Sequence, residues 1–182
     1  IDPSLGPGVA IEVVADKILD MQEEPNWLHN IIFTPFVPSI PIFKDYLIEV
    51  LGIKEKQVLT LQGGVETEYL AGVEENFRKD PNTLLISSLK YAQAWNAETC
   101  RHVFFPHFEW DQDDNEQAEG RARRRTSDMD HMIMSYYVSI EGSITESMFD
   151  ILNSKVKMNN MTYSGFEPYR KMINNRLKES LG

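Results

Sequence analysis

Short apolar, β-prone runs alternate along this chain with stretches of helical periodicity, and that alternation constrains the fold more than any other feature. Ile31 to Phe33 is a buried strand that stops at Pro35, and IPIFKDYLIEVLG follows as an amphipathic helix closed by Gly52. Gln57 to Leu61 repeats the logic: Gly63-Gly64 turns the chain into a helix over 65–80 that carries Tyr69, Leu70, Val73 and Phe77 on one face, until Asp80-Pro81-Asn82 breaks it. Thr83 to Ser87 is a third strand, 88–99 a polar and aromatic loop or short helix, His102 to Phe105 a fourth strand and His131 to Val138 a fifth. A helix over 8–22 precedes the series and Pro25 stops it. Another over 143–158 closes the series, with Ser143 as its cap and Glu146 at the third helical position. The acidic stretch 109–126 is helical for most of its length, weakened at Gly120. Strands alternating with helices of this length predict an α/β fold in three layers, with a mostly parallel sheet flanked by helices.

With 182 residues, 42% of them hydrophobic, the chain has material for one domain over 1–182. Its core spans about 28–158, and 159–182 is expected as a helical tail. Lys plus Arg number 18 against 28 for Asp plus Glu, and the net charge of -10 argues against a surface that attracts polyanions over its whole extent while allowing a local basic site. The single cysteine, Cys100, rules out an intrachain disulfide and a cysteine-based zinc cluster. His29, His102, His107 and His131 show no ligand spacing, so no metal site is expected. No run approaches the roughly 20 apolar residues of a membrane span, and Ile1-Asp2-Pro3-Ser4 lacks the features of a signal peptide, so an intracellular location is expected with no membrane partner. Met129, Met132, Met134 and Met148 are expected to fill the core, and Trp110 is more simply a core or hinge residue than a base-stacking one.

Chemistry concentrates where the charge changes sign: Arg121, Arg123, Arg124 and Arg125 follow directly on six acidic residues between Glu109 and Glu119. A solvated helix end is the plain reading. Phosphate binding is the functional one, since the planar guanidinium donates paired hydrogen bonds and stays charged, and Arg121 and Arg124 share a helical face if the helix runs through them. No G-x-x-x-x-G-K-[ST], G-x-G-x-x-G or G-x-S-x-G is present, and Cys100 has only His102 nearby as a base. The chain alone is therefore not expected to hydrolyse ATP.

Gln117-Ala-Glu-Gly-Arg-Ala-Arg-Arg124 resembles the Q-x-x-G-R-x-x-R motif VI of superfamily two helicases, and the surrounding sequence is most similar to the Swi/Snf-type ATPases. Ile31-Ile-Phe-Thr34 resembles motif IV, Gly63-Gly64 sits where the family has a glycine after its second strand, and Ser87 through Asn96 resembles motif V. Trp110 takes the place of a family tryptophan, and Gly142-Ser-Ile-Thr-Glu146 is similar to the run that opens a late helix. The likeness covers most of residues 28–158. Two departures stand out: the usually glycine-rich motif V reads Tyr91-Ala-Gln-Ala94 ahead of Trp95 and Asn96, and Arg123 replaces a histidine.

The resemblance implies a RecA-like second motor lobe of an ATP-dependent helicase or translocase. In it Arg121 and Arg124 act as arginine fingers, Gln117 organises the motif, and Gly120, Arg121 and Arg124 lie beside the nucleotide. ATP and Mg2+ would be held only together with an N-terminal ATPase lobe of the same polypeptide. Loops at one end of a parallel sheet converge on a crevice. Thr34, Gln62, Gly63, Gly64, Ser88, Lys90 and Asn96 are accordingly the candidates for backbone contact with a nucleic acid, DNA rather than RNA by resemblance. Two other readings stand beside this one: a non-enzymatic acidic α/β protein-interaction module, and a phosphate-handling enzyme of unrelated type.

Overall fold

The apolar positions of the first helical stretch build α1 (Val9–Asp20), which buries Ala10, Ile11, Val14, Ala15 and Ile18. The computed structural model describes residues 8–64, 66–91, 100–110, 112–122 and 133–152. After α1 come β1 (Asn30–Thr34), α2 (Ser39–Leu51), β2 (Val58–Leu61) and α3 (Thr67–Lys79), then β3 (Leu84–Ser88), β4 (His102–Phe105), α4 (Gln112–Ala122) and β5 (Met134–Tyr137). A last helix, α5, occupies 144–152.

The five strands form one sheet in the order β2-β3-β1-β4-β5. Every pair is parallel. β1 lies at the centre: Ile31 and Ile32 pair with Leu85 and Ile86 of β3 on one side and with Val103 and Phe104 of β4 on the other. Alternate side chains of each strand go to opposite faces, as the pleat requires. Ile32, Leu84, Ile86 and Phe104 meet α1 and α2 through Ile11, Val14, Ile18, Phe43 and Leu47. Ile31, Phe33, Leu85, Val103 and Phe105 meet α3, α4 and α5 through Val73, Phe77, Ala118, Phe149 and Leu152. The predicted three-layer α/β architecture is therefore the observed one, with the sheet parallel throughout.

Several boundaries differ from the sequence expectation for local reasons. α1 ends at Asp20, ahead of Pro25. β3 starts at Leu84 because the Thr83 hydroxyl donates to the Asp80 carbonyl at 2.7 Å and holds Thr83 in the preceding turn. Gly52 closes α2 with φ 63°, the left-handed conformation that glycine adopts without steric cost. Tyr69 is not part of the buried face of α3. It is 49% exposed, and its hydroxyl donates to the Thr60 carbonyl of the edge strand β2 at 3.4 Å. Ser143 caps α5 as expected, its hydroxyl oxygen accepting the Thr145 N–H at 3.2 Å; the Glu146 carboxylate accepts from the Gly142 N–H at 2.8 Å, one residue earlier than in a standard capping box. Met148 is buried and Met134 packs against the core, whereas Met129 and Met132 lie outside the described residues, as do the proposed tail 159–182 and the start of the predicted fifth strand.

Candidate functional site

Because all strands run the same way, their carboxyl ends share one edge of the sheet, and the segments that follow β1, β2 and β3 meet there. Thr34 pairs in register with Ser88, and Leu61 with Ser87, so Thr34, Gln62 to Gly64, and Ser88 to Lys90 are side by side on three adjacent strands. Neighbouring strands are about 4.8 Å apart, which places β1 and β2 about 10 Å from one another across β3. β1 is also where the connections diverge, since its two neighbours β3 and β4 lie on opposite sides; crevices of this kind bind ligands in open α/β sheets.

The groups at this edge are of two kinds. Thr34 and Ser88 are buried, and Thr34 holds the loops. The Thr34 hydroxyl accepts the Phe36 N–H at 3.2 Å and lies 3.2 Å from the Ser39 hydroxyl, which donates to the Phe36 carbonyl at 2.6 Å. The Thr34 carbonyl accepts the Leu89 N–H at 3.0 Å, joining the loop after β1 to the loop after β3. Gln62, Gly63, Gly64 and Lys90 are exposed. Gly64 has φ 88°, and a Cβ there would meet no atom within 4 Å, so backbone conformation, not lack of space, calls for glycine. Asn96 lies outside the described residues.

Two aromatic rings that the sequence reading did not place at this edge stand open to solvent. Phe36, after β1, is 49% exposed and meets His107 edge to face with ring centroids 5.3 Å apart; His107 in turn stacks on Phe43 at 5.9 Å. Burial holds the His107 pKa below its ordinary value, which favours the neutral imidazole. Trp110, expected against the core or at a hinge, is 48% exposed in the segment between β4 and α4.

α4 carries the first part of the Q-x-x-G-R-x-x-R run. Gln117 and Gly120 are exposed, Ala118 and Glu119 are buried, and Arg121 lies in the last turn of the helix. Arg123, Arg124 and Arg125 lie outside the described residues. Two buried polar side chains anchor this helix, and neither stood out in a stretch that reads as uniformly acidic and solvated. Asn115 accepts the Glu109 N–H through its Oδ1 at 3.1 Å and donates from its Nδ2 to the Glu109 carbonyl at 2.8 Å, closing the entry to the helix. Glu119 Oε1 accepts from the Tyr137 hydroxyl of β5 at 2.6 Å. Among the described residues no hydrogen bond joins Gln117 to the strand-end groups, and no three His, Cys, Asp or Glu side chains are grouped so as to hold a metal ion. No helix among the described residues is long and apolar enough to cross a membrane.

The all-parallel five-stranded sheet with helices on both faces matches the RecA-like α/β fold of the solved helicase ATPase domains it resembles. Two solved structures make the likeness concrete. The C-terminal part of the Fun30 ATPase domain is similar over 79% of this chain and 44% of that one, with TM-score 0.64 and 20% identity. Domain 2 of the Mss116p DEAD-box helicase, bound to an RNA duplex, is similar over 70% of this chain and 48% of that one, with TM-score 0.59 and 17% identity. The chain thus spans about half the length of either structure. No family model matches the sequence, and no curated protein matches it.

Proposed function

We propose that this chain is the second motor lobe of an ATP-dependent nucleic-acid helicase or translocase of the Swi/Snf-like kind, with DNA as the preferred track. The observation that carries the reading is the coincidence of a RecA-like fold with a Q-x-x-G-R-x-x-R run whose first part sits on α4, with Gln117 and Gly120 exposed. The first lobe, on the same polypeptide, supplies the phosphate-binding loop and the Mg2+ ligands. Arg121 and Arg124 reach the γ-phosphate across the interlobe cleft and stabilise the charge that develops on the transferring phosphoryl group, with Gln117 and Gly120 beside them. Gln62, Gly63, Gly64, Lys90 and Asn96 hold the nucleic-acid backbone by side-chain and main-chain hydrogen bonds, without reading bases. Thr34 supports the same loops from within through its buried hydroxyl, with Ser88 beside it at the strand end. Closure on ATP and opening after hydrolysis move the lobe along the strand.

The test joins this segment to its native upstream sequence and measures ATP hydrolysis with and without DNA or RNA. Arg124→Ala is expected to reduce turnover by about two orders of magnitude or more while nucleotide binding persists. An unchanged rate overturns the arginine assignment. Stimulation by RNA but not DNA overturns the preferred track.

A further inference from the structure

We infer that Phe36 is a stacking platform for an unpaired nucleobase, with Lys90 as the phosphate contact of the same strand, so that this lobe engages a single-stranded track; the inference deepens the motor-lobe reading above and rests on it. Phe36 is 49% exposed, yet its backbone is fixed on both sides. Its N–H donates to the Thr34 hydroxyl at 3.2 Å, and its carbonyl accepts from the Ser39 hydroxyl at 2.6 Å and the Ser39 N–H at 2.9 Å. Pro35 and Pro38 restrict the turn further. The ring is braced in turn. His107, in the segment after β4, meets it edge to face at 5.3 Å and stacks on Phe43, a core residue that is 1% exposed. The His107 Nδ1 is buried with no hydrogen-bond partner among the described residues, so packing between two phenyl rings holds the imidazole. A single edge-to-face neighbour covers at most one face of Phe36, and among the described residues no other ring meets it.

The surroundings of the ring select its occupant. The Leu89 N–H donates to the Thr34 carbonyl at 3.0 Å, so Lys90 follows β3 next to the residue whose hydroxyl holds Phe36. Lys90 is exposed, and no salt bridge among the described residues includes it. In a chain of net charge -10, segments 35–38, 62–64, 89–90 and 106–108 contain no Asp or Glu. A flat apolar ring beside an unmatched cation, on segments without carboxylates, suits one nucleotide of a single strand: the base stacks on Phe36 and the phosphate meets the Lys90 ammonium. A duplex keeps the faces of its bases inside the stack, so only an unpaired base can lie on the ring. An apolar protein surface would cover the ring and leave the cation unmatched.

The experiment uses the chain with its native upstream sequence and measures Kd, by fluorescence anisotropy, for three labelled probes: an oligothymidylate of about 15 nucleotides, an abasic strand of the same length and a duplex of the same length. The variants are Phe36→Ala, Phe36→Leu, Phe36→Trp and Lys90→Ala, each with its thermal midpoint and KM for ATP. Phe36→Ala and Phe36→Leu are each expected to weaken oligothymidylate binding about tenfold, with the abasic strand and the duplex within about twofold of the parent. Phe36→Trp offers a larger ring and is expected to bind oligothymidylate at least as tightly as the parent. Lys90→Ala is expected to weaken the oligothymidylate and the abasic strand alike and to reduce the salt slope by about 0.7. Both side chains are exposed, so thermal midpoints should stay close to that of the parent. If Lys90→Ala weakens binding and Phe36→Ala does not, the platform is refuted and the motor reading stands. A Phe36→Leu protein as tight as the parent, or an equal loss on the abasic strand or the duplex, also refutes it. Unchanged oligothymidylate affinity with a raised KM for ATP places the ring at the nucleotide and refutes it as well. If the parent protein binds none of the three probes, the motor reading falls and the platform goes with it.

Discussion

The Thr34 hydroxyl and the Ser39 hydroxyl lie 3.2 Å apart in the loop that links β1 to α2, and through Phe36 they fold that loop back on itself. Thr34 is fully buried, so water cannot replace these bonds. Thr34→Val matches the shape and removes the acceptor for the Phe36 N–H. The expected loss of stability is about 1–3 kcal/mol, read as a lower urea midpoint with an unchanged slope. A variant as stable as the parent would mean that the loop finds another way to satisfy that N–H.

Acidification should weaken the fold through its histidines before its carboxylates titrate. Burial lowers the pKa of His29, His102 and His107 below 6.5, and for His29 it outweighs the upward pull of the Thr83 backbone, the Asp80 charge and the Asp80 backbone. A depressed folded-state pKa means that the unfolded chain binds more protons once the pH drops under the unfolded value. Stability is therefore full above about pH 6.5 and declines as the pH falls toward the folded-state values. Glu55 and Glu75 are lowered too, each by its lysine partner, Lys44 and Lys79. Their contribution fades only below about pH 4.5, in a separate window. Urea midpoints measured between about pH 5 and 8 should be flat at the upper end and fall below 6.5, with a shallower fall in His29→Asn, which lacks one of the three groups. A midpoint that rises on acidification contradicts the assignment.

Cys100 should be a silent thiol in the native protein. It is 3% exposed in the core between the sheet and the α3, α4 and α5 layer, and burial pushes its pKa up to about 12. The thiolate is the reactive form, so labelling by a maleimide at neutral pH needs local or global opening. Native-state labelling is expected to be slower than in urea by at least about two orders of magnitude. Equal rates would place Cys100 at the surface.

Where sequence reading and structure part company, the cause is usually a specific hydrogen bond or packing contact that side-chain spacing does not encode. Thr83 reads as strand until its hydroxyl is seen to close the Asp80 turn. Tyr69 has the spacing of the buried face of α3, yet it sits against an edge strand and stays open to solvent. Trp110 carries the composition of a core residue and is half exposed. Asn115 and Glu119 are two polar residues among many in an acidic helix, and nothing local distinguishes a buried one from a solvated one. Their partners, Glu109 and Tyr137, do so. The exposed strand-end candidates Gln62, Gly63, Gly64 and Lys90 were legible because strand–turn punctuation is local.

Periodicity and punctuation, read along the chain, were enough to determine the α/β class, the succession of strands and helices, and the acidic helix that carries Gln117, Gly120 and Arg121. These are set within a few residues by side-chain spacing, glycine and proline. The order β2-β3-β1-β4-β5, the register that sets Thr34 beside Ser88 and Leu61 beside Ser87, and the bond from Tyr137 to Glu119 were decided only in three dimensions. Parallel pairing joins segments tens of residues apart, and its energy comes from burying both faces of the sheet at once. No window of sequence contains that information.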